Sequence, residues 1–312
     1  GEIVRDADGK AIKVPGTLPT TQAAGMMYDA NTAQISMNLL DFSQVGLHHA
    51  YDEVLRQAEK QEDLKITGSE IVGVVPLEAI LMAADYYIEK ENLFILDEDQ
   101  KIRLAVERLG LNSVAPFNPK EKIIEYIVAE PPDEPLADMP LRGFIAEVAA
   151  RSSAPGGGSV SAVLAALGTG LGSMVGKLTF GVRKFEDMDA RMRSAIPPLH
   201  TLTKELVSMI DADTNAFTGY MEGLRMPRDT PEQQAVRRAK MQAGLKTAIR
   251  VPLKTMQLGD GAWDAMCAVA RYGNSASKSD VQVGARALET GIWGAYQNVL
   301  INMGGIRDAA FK

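Results

Sequence analysis

Between residues 159 and 176 the chain runs for eighteen positions without one charged side chain. That is about the length that crosses a bilayer, so a membrane span and a core helix are both open on length alone. Composition separates them. Ala, Gly, Ser and Thr are as common here as Val and Leu, and Gly168, Gly170 and Gly172 fall in the middle. Glycines weaken an isolated helix, whereas small side chains let neighbouring backbones approach closely. No interfacial belt of Trp or Tyr flanks the stretch. The expectation is a helix buried inside a bundle, with no membrane span.

A bundle needs partner helices, and the rest of the second half supplies them. Past residue 141 the sequence reads as helix interrupted by Gly and Pro, with no segment of strand period. Residues 129–140 carry four prolines among acidic residues, which neither extend a helix nor join a sheet centre. They are expected to form a linker. The first half, 1–128, alternates its periods. Residues 33–42 alternate apolar and polar positions like a half-buried strand. Helices are expected over 46–61, from Pro76 to about Lys90, and over 98–109, the last closing at Gly110. Residues 64–67 and 70–75 are short and rich in β-branched side chains, and 121–128 reads as a last strand. The fold class is therefore an α+β N-terminal segment with a mixed sheet, followed by an all-α domain at 141–312. Residue 1 is Gly, the opening stretch 1–19 is polar and turn-rich, and 305–312 reads as first turns of a helix without a stop signal. Truncation at both ends is expected.

Charge narrows the partners. A net charge of −7 and a pI near 5.2 argue against nucleic acid, whose phosphates need a basic face. The single cysteine, Cys267, excludes an internal disulfide and fits a reducing, cytoplasmic setting. His48, His49, His200 and that cysteine make no metal-ligand spacing, so no metal is expected.

Four places could carry chemistry. Arg151-Ser-Ser-Ala-Pro-Gly-Gly-Gly-Ser-Val160 is a glycine-rich loop opening into the uncharged helix, where free N–H groups and the dipole suit an anion. Ser159 can cap that helix; a tight turn with no ligand fits the same residues. The helix expected from about 198 to 224 has an apolar stripe of Leu202, Leu206, Met209, Ile210, Phe217, Tyr220, Met221 and Leu224. At 100° per residue Asp213 falls inside this stripe, while Asp211 points about 200° away and can face solvent. A buried acid has its charged form disfavoured and can hold or deliver a proton near neutrality. Pairing with a buried Arg or Lys is the structural alternative. Lys177, Arg183, Lys184, Arg191 and Arg193 could hold the carboxylates of a ligand or form a solvated face. Residues 273–280 form a polar loop before a helix bearing Asn298 and Asn302, whose amides need partners on another helix or on a ligand. His48 and His49 read as surface imidazoles whose neighbouring rings do not converge.

These features occur together in a known combination. Ser153-Ala-Pro-Gly-Gly-Gly-Ser-Val160, Ile210-Asp-Ala-Asp-Thr-Asn-Ala-Phe217, the stretch from Asn274 to Asp280 and Gly294-Ala-Tyr-Gln-Asn-Val-Leu-Ile-Asn302 are similar, in that order, to the formimidoyltetrahydrofolate cyclodeaminase family. Residues 33–42, Gly68-Ser-Glu-Ile-Val-Gly-Val-Val-Pro-Leu77 and Phe117-Asn-Pro-Lys-Glu-Lys-Ile-Ile-Glu-Tyr126 resemble the second subdomain of a formimidoyltransferase. The whole resembles the bifunctional formimidoyltransferase-cyclodeaminases of histidine breakdown.

The resemblance implies a reaction: 5-formimidoyltetrahydrofolate becomes 5,10-methenyltetrahydrofolate and ammonia, with tetrahydrofolate as the carrier and no metal. It implies Asp213 as the catalytic acid and Gly156, Gly157, Gly158 and Ser159 as a wall of the folate pocket. Lys177, Arg183 and Lys184 are the expected contacts of the folate glutamate tail, which is polyglutamylated in some substrates. Phe180 stands where the family commonly has Tyr, which puts any role of that hydroxyl in doubt. The family's transferase histidine lies in a first subdomain to which no residue here corresponds. Its role is not given to His48 or His49, and transferase activity is expected only of a longer parent protein. The resemblance also implies dimers, arranged as a ring in full-length proteins. A methenyltetrahydrofolate cyclohydrolase on the same fold and a non-catalytic helical assembly domain are the alternatives.

Overall fold

The computed structural model describes residues 5, 7–11, 16–61, 63–130 and 133–312. The chain divides into two compact units, Gly1–Pro131 and Pro132–Lys312. Parts of the polar stretch 1–19, and Pro131 and Pro132 of the expected linker, lie outside the described residues.

The first unit opens with an antiparallel hairpin, β1 (Thr21–Met27) and β2 (Ala33–Leu39), in the register Thr21↔Leu39 to Met27↔Ala33. Asp29 makes the turn, its Oδ1 accepting from the N–H groups of Asn31 at 2.8 Å and Thr32 at 2.7 Å. Three helices follow, α1 (Leu47–Ala58), α2 (Leu77–Lys90) and α3 (Glu98–Arg108). Gly110, at φ +65°, turns the chain just past α3 as the sequence implied. The core is the apolar face of α2 against that of α3, with Ile80, Ala83, Ala84, Ile102, Ala105 and Leu109 buried.

The sheet is smaller than the patterning implied. Residues 64–67 and 70–75 form no strand; only Val75 pairs, in a parallel bridge with Ile123. Val72 and Val74 stay exposed, because β-branched side chains favour a strand only where a neighbour offers a pleated surface. Residues 121–128 are not a strand: apart from the bridging Ile123 they belong to two short helices, α4 (Pro119–Lys122) and α5 (Ile124–Val128). Asn118 accepts from the Lys120 N–H at 3.1 Å and Pro119 occupies the first helical position, so the local start signal overrides the apolar run.

The second unit is helical: α6 (Leu141–Val148), α7 (Gly157–Thr179), α8 (Asp189–Arg225), α9 (Pro231–Asp260), α10 (Trp263–Tyr272) and α11 (Lys278–Met303). The uncharged segment is α7, and it packs along both α8 and α11. By length and composition α7 could cross a membrane, yet 61% of its apolar window is buried inside the unit. Backbone approach explains the small residues. A Cβ on Gly168 would stand 2.7 Å from the Gly284 carbonyl oxygen, and one on Gly291 of α11 would stand 2.7 Å from the Ser161 carbonyl oxygen. Either methyl would force the two helices apart.

Three boundaries differ from expectation. Helix α8 begins at Asp189 and continues through Pro197 and Pro198. Those prolines remove two helical donors, but Met192, Ile196 and Leu199 are fully buried on either side and hold the helical path. Residues 305–312 are turns rather than helix. Asp308 accepts from the N–H groups of Ala310 and Phe311 and pairs with Lys246 at 2.7 Å, while Ile306 is buried beside Leu245 and Ile249. The end of the proline-rich stretch is docked, with Leu136, Ala137 and Met139 packed on Phe144, Ala162 and Ile210.

Candidate active site

The glycine run forms the start of α7, with Gly156 as N-cap in extended conformation and no side chain capping the helix. Its first turn lies against α8 where Asp213 emerges. Position 158 has no room for a side chain, since a Cβ there would overlap the Asp213 carboxyl group. The Ser159 N–H donates to that carboxyl group. Ser159 does not cap α7: it is buried, its Oγ donates to the Ile210 carbonyl at 2.7 Å, and it lies 3.2 Å from Thr214 Oγ1. The hydroxyl therefore ties the start of α7 to α8 and fixes Asp213 against the glycines.

Burial raises the Asp213 pKa above the ordinary aspartate range, and the Ser159 N–H offsets part of that shift. No neighbouring charge contributes, so the pairing alternative is absent among the described residues. A carboxyl group with these surroundings can take up and release a proton closer to neutrality than a solvated one.

Asp211 corrects the sequence reading. It is 4% exposed, and its two carboxylate oxygens accept from the N–H groups of Leu136 and Ala137, both at 2.9 Å. The face of α8 that periodicity assigned to solvent is covered by the docked stretch, whose backbone donors the carboxylate satisfies.

The basic candidates lie elsewhere. Lys177 is nineteen residues beyond Gly158 on α7, about 28 Å at 1.5 Å per residue. It borders a groove of about 410 Å³ together with Ser173, Met174, Leu178, Thr203 and Lys204. Arg183 and Lys184 follow in a short 3-10 turn, Arg183–Met188, with the Lys184 ammonium 5.4 Å from the Phe185 ring centre. Arg191 and Arg193 stack over Tyr272 and Phe180. Within one chain, Lys177 and the glycine turn thus sit at opposite ends of α7. The expected 273–280 loop is shorter, since Lys278–Asp280 already belong to α11; its remainder joins the Lys177 end, where the Asn274 N–H donates to Thr179 Oγ1 at 2.8 Å.

The two amides of α11 have different fates. Asn302 Nδ2 donates to the Ala248 carbonyl of α9 at 3.1 Å and to the Asn298 carbonyl at 3.0 Å. Asn298 Nδ2 donates to the Gly294 carbonyl of its own helix at 2.9 Å, and the side chain faces Gly157.

In the first unit, His48 is not a surface imidazole. It is buried, stacked on Tyr86 with ring centres 4.5 Å apart, and burial lowers its pKa to about 4. Its ring lies 4.0 Å from that of His49, so the adjacent rings do converge: the start of α1 turns both towards Tyr86. Among the described residues no group of three His, Cys, Asp or Glu side chains is placed to hold a metal ion.

The same two segments are seen in known proteins. A family model described as formiminotransferase-cyclodeaminase matches residues 140–312, and one described as formiminotransferase domain matches 2–129. The formimidoyltransferase-cyclodeaminase of Sus scrofa is 50% identical over 306 residues, which are 97% of this chain and 56% of that protein. A methenyltetrahydrofolate cyclohydrolase of Methylorubrum extorquens is 34% identical over 168 residues, covering 54% of this chain and 81% of that protein. In fold, a crystal structure of formiminotetrahydrofolate cyclodeaminase from Thermotoga maritima matches with a TM-score of 0.50 and 25% identity, over 56% of this chain and 83% of that one. This chain spans little more than half the length of its bifunctional relatives, but the family models cover both of its units in their order. The chain belongs to the formiminotransferase-cyclodeaminase family.

Proposed function

We propose that the second unit converts 5-formimidoyltetrahydrofolate to 5,10-methenyltetrahydrofolate and ammonia, with Asp213 as the proton-transfer group. The observation that carries this reading is the half-buried Asp213 carboxyl group, held by the Ser159 N–H in the space left by Gly158. Family membership supplies the substrate class. N10 of the folate attacks the formimidoyl carbon, and the N10–C bond closes a five-membered ring. The N10 proton passes to the former imine nitrogen, and a second proton from solvent makes that nitrogen a neutral leaving group. The C–N bond then breaks, releasing ammonia and leaving the cationic methenyl product. Both reacting atoms are in one molecule, so the site mainly freezes a productive conformer. Asp213 relays the protons, an effect worth roughly 10²- to 10⁴-fold.

Folate is then substrate and carrier, and the reaction as written needs no metal. Gly156, Gly157, Gly158 and Ser159 form the wall beside the reacting atoms. Lys177, Arg183 and Lys184 attract a polyglutamate tail, and their distance along α7 favours long tails over a monoglutamate. The segment matching the formiminotransferase domain ties a longer protein to transfer of the formimidoyl group from formimidoylglutamate to tetrahydrofolate. Self-association as dimers, and as a ring of dimers in longer proteins, is supported by exposed apolar side chains on α7 and α11, among them Leu167, Leu178, Trp293 and Leu300. The cytoplasm is the proposed setting.

A second reading, methenyltetrahydrofolate cyclohydrolase, is favoured by the Methylorubrum relative alone. Ammonia release from 5-formimidoyltetrahydrofolate, with hydrolysis of the methenyl compound at the uncatalysed rate, supports the cyclodeaminase. Hydrolysis without ammonia release supports the cyclohydrolase.

A further inference from the structure

The first turn of α7 is flanked on one side by Asp213 and on the other by Asn298. Asn298 lies five positions before the last residue of α11, and a Cβ on Gly157 would stand 3.3 Å from its Nδ2 and 4.0 Å from its Oδ1. No side chain separates the amide from the exposed Gly157 backbone. Asn302, one turn later, has its amide committed to the α9 interface, so it explains itself as packing. Asn298 crosses to no other helix. Its Nδ2 is satisfied within α11 by the Gly294 carbonyl, and among the described residues no donor reaches its Oδ1.

That division of the amide fixes its chemistry. The unused oxygen is an acceptor, so a donor seated over Gly157, such as a ring N–H, can bond to Asn298, while one of the two Nδ2 hydrogens is already given to the Gly294 carbonyl. The N–H groups of Gly157 and Gly158, in the uncapped first turn of α7, offer the opposite polarity. We propose that Asn298 is a substrate-orienting residue, accepting a hydrogen bond from an N–H on the heterocycle of the bound folate and so setting which end of it lies towards Asp213. This inference rests on the cyclodeaminase reading above and adds the residue that selects the pose. An analogue lacking that N–H leaves the Oδ1 acceptor without a partner in the complex, which is where such a contact discriminates.

The test compares Asn298→Ala with Asn302→Ala in the 312-residue chain. Equilibrium binding of tetrahydrofolate, which does not react, is followed by protein fluorescence, and KM and kcat are measured with 5-formimidoyltetrahydrofolate. Asn298→Ala is expected to raise Kd tenfold or more and, because misoriented substrate does not react, to lower kcat by threefold or more, with an unchanged melting temperature. Asn302→Ala is expected to lower the melting temperature and leave Kd within twofold. Kd within twofold of wild type in Asn298→Ala overturns the inference, as does an equal loss of affinity in both variants, which makes the effect one of packing. Wild-type chain that binds tetrahydrofolate without turnover overturns the cyclodeaminase reading and leaves the Kd comparison to decide on Asn298. Wild-type chain that binds no tetrahydrofolate overturns both.

Discussion

The carboxyl group of Asp213 occupies the space in which a side chain on Gly158 would stand. The two positions belong to different helices and are fifty-five residues apart in sequence, so the glycine run and the acid are one feature seen twice. The missing side chain is the reason a carboxyl group on α8 reaches the first turn of α7.

Gly158→Ala should therefore act on Asp213. The added methyl pushes the carboxyl group out of its place, at a cost of about 1–3 kcal/mol for overpacking, and kcat should fall about 100-fold. Gly157→Ala meets only the Asn298 amide, its Nδ2 at 3.3 Å, which is tight but movable, and should be milder in kcat. Steady-state kinetics and melting curves of the two variants check this ordering.

Burial holds the Asp213 pKa up, so ionising it costs the folded state free energy. The folded pKa lies above the unfolded value, so the protonated form's advantage is complete below the unfolded pKa and is lost as pH rises through the folded one. Asp213→Asn should therefore melt at or above the wild-type temperature at pH 7. That difference should shrink as pH falls through the raised pKa. Calorimetry across pH 4 to 8 reads the difference directly.

Asp211 is the structural acid of the pair. Asp211→Ala leaves the buried N–H groups of Leu136 and Ala137 without their acceptor, costing about 2–3 kcal/mol. For a unit of this size that corresponds to a melting shift of roughly 5–10 °C. Near-native stability in this variant would show that the docked stretch finds other partners.

His48 gives the first unit a pH dependence of opposite origin. Its folded pKa of about 4 is depressed, so the unfolded chain binds the extra proton between pH 6.5 and 4. Stability should fall as pH drops through that window, by on the order of 1–2 kcal/mol after solvent screening. His48→Gln should flatten that slope in urea titrations read by tyrosine fluorescence.

Removing the charges of Lys177, Arg183 and Lys184 should raise KM more for polyglutamylated than for monoglutamylated substrate. Equal changes for both would assign these residues to a solvated face.

Much of this was legible in the sequence, for identifiable reasons. The uncharged run 159–176 pointed to a buried helix because it lacks charge and its small side chains suit close backbone approach. The partial burial of Asp213 was legible because it interrupts an apolar stripe at helical spacing. Asp211 was misread because periodicity on α8 cannot know that a proline-rich stretch seventy-five residues earlier folds over its other face. The strands expected at 70–75 and 121–128 meet only at the Val75–Ile123 bridge, because Asn118 and Pro119 start a helix beside it, a competition that local β-propensity does not encode. The adjacency of Gly157 and Asn298 depends on how α7 and α11 pack, so only their separate identities as a glycine and a semi-buried amide could be read beforehand.

The central claim is that Asp213, seated against Gly158, moves protons in ring closure. The measurement that tests it most directly is absorbance in the methenyltetrahydrofolate band after mixing 5-formimidoyltetrahydrofolate with the wild-type chain or with folded Asp213→Asn. The account predicts fast formation with wild type and formation slowed at least about 100-fold with the variant. Equal rates in the two would contradict it.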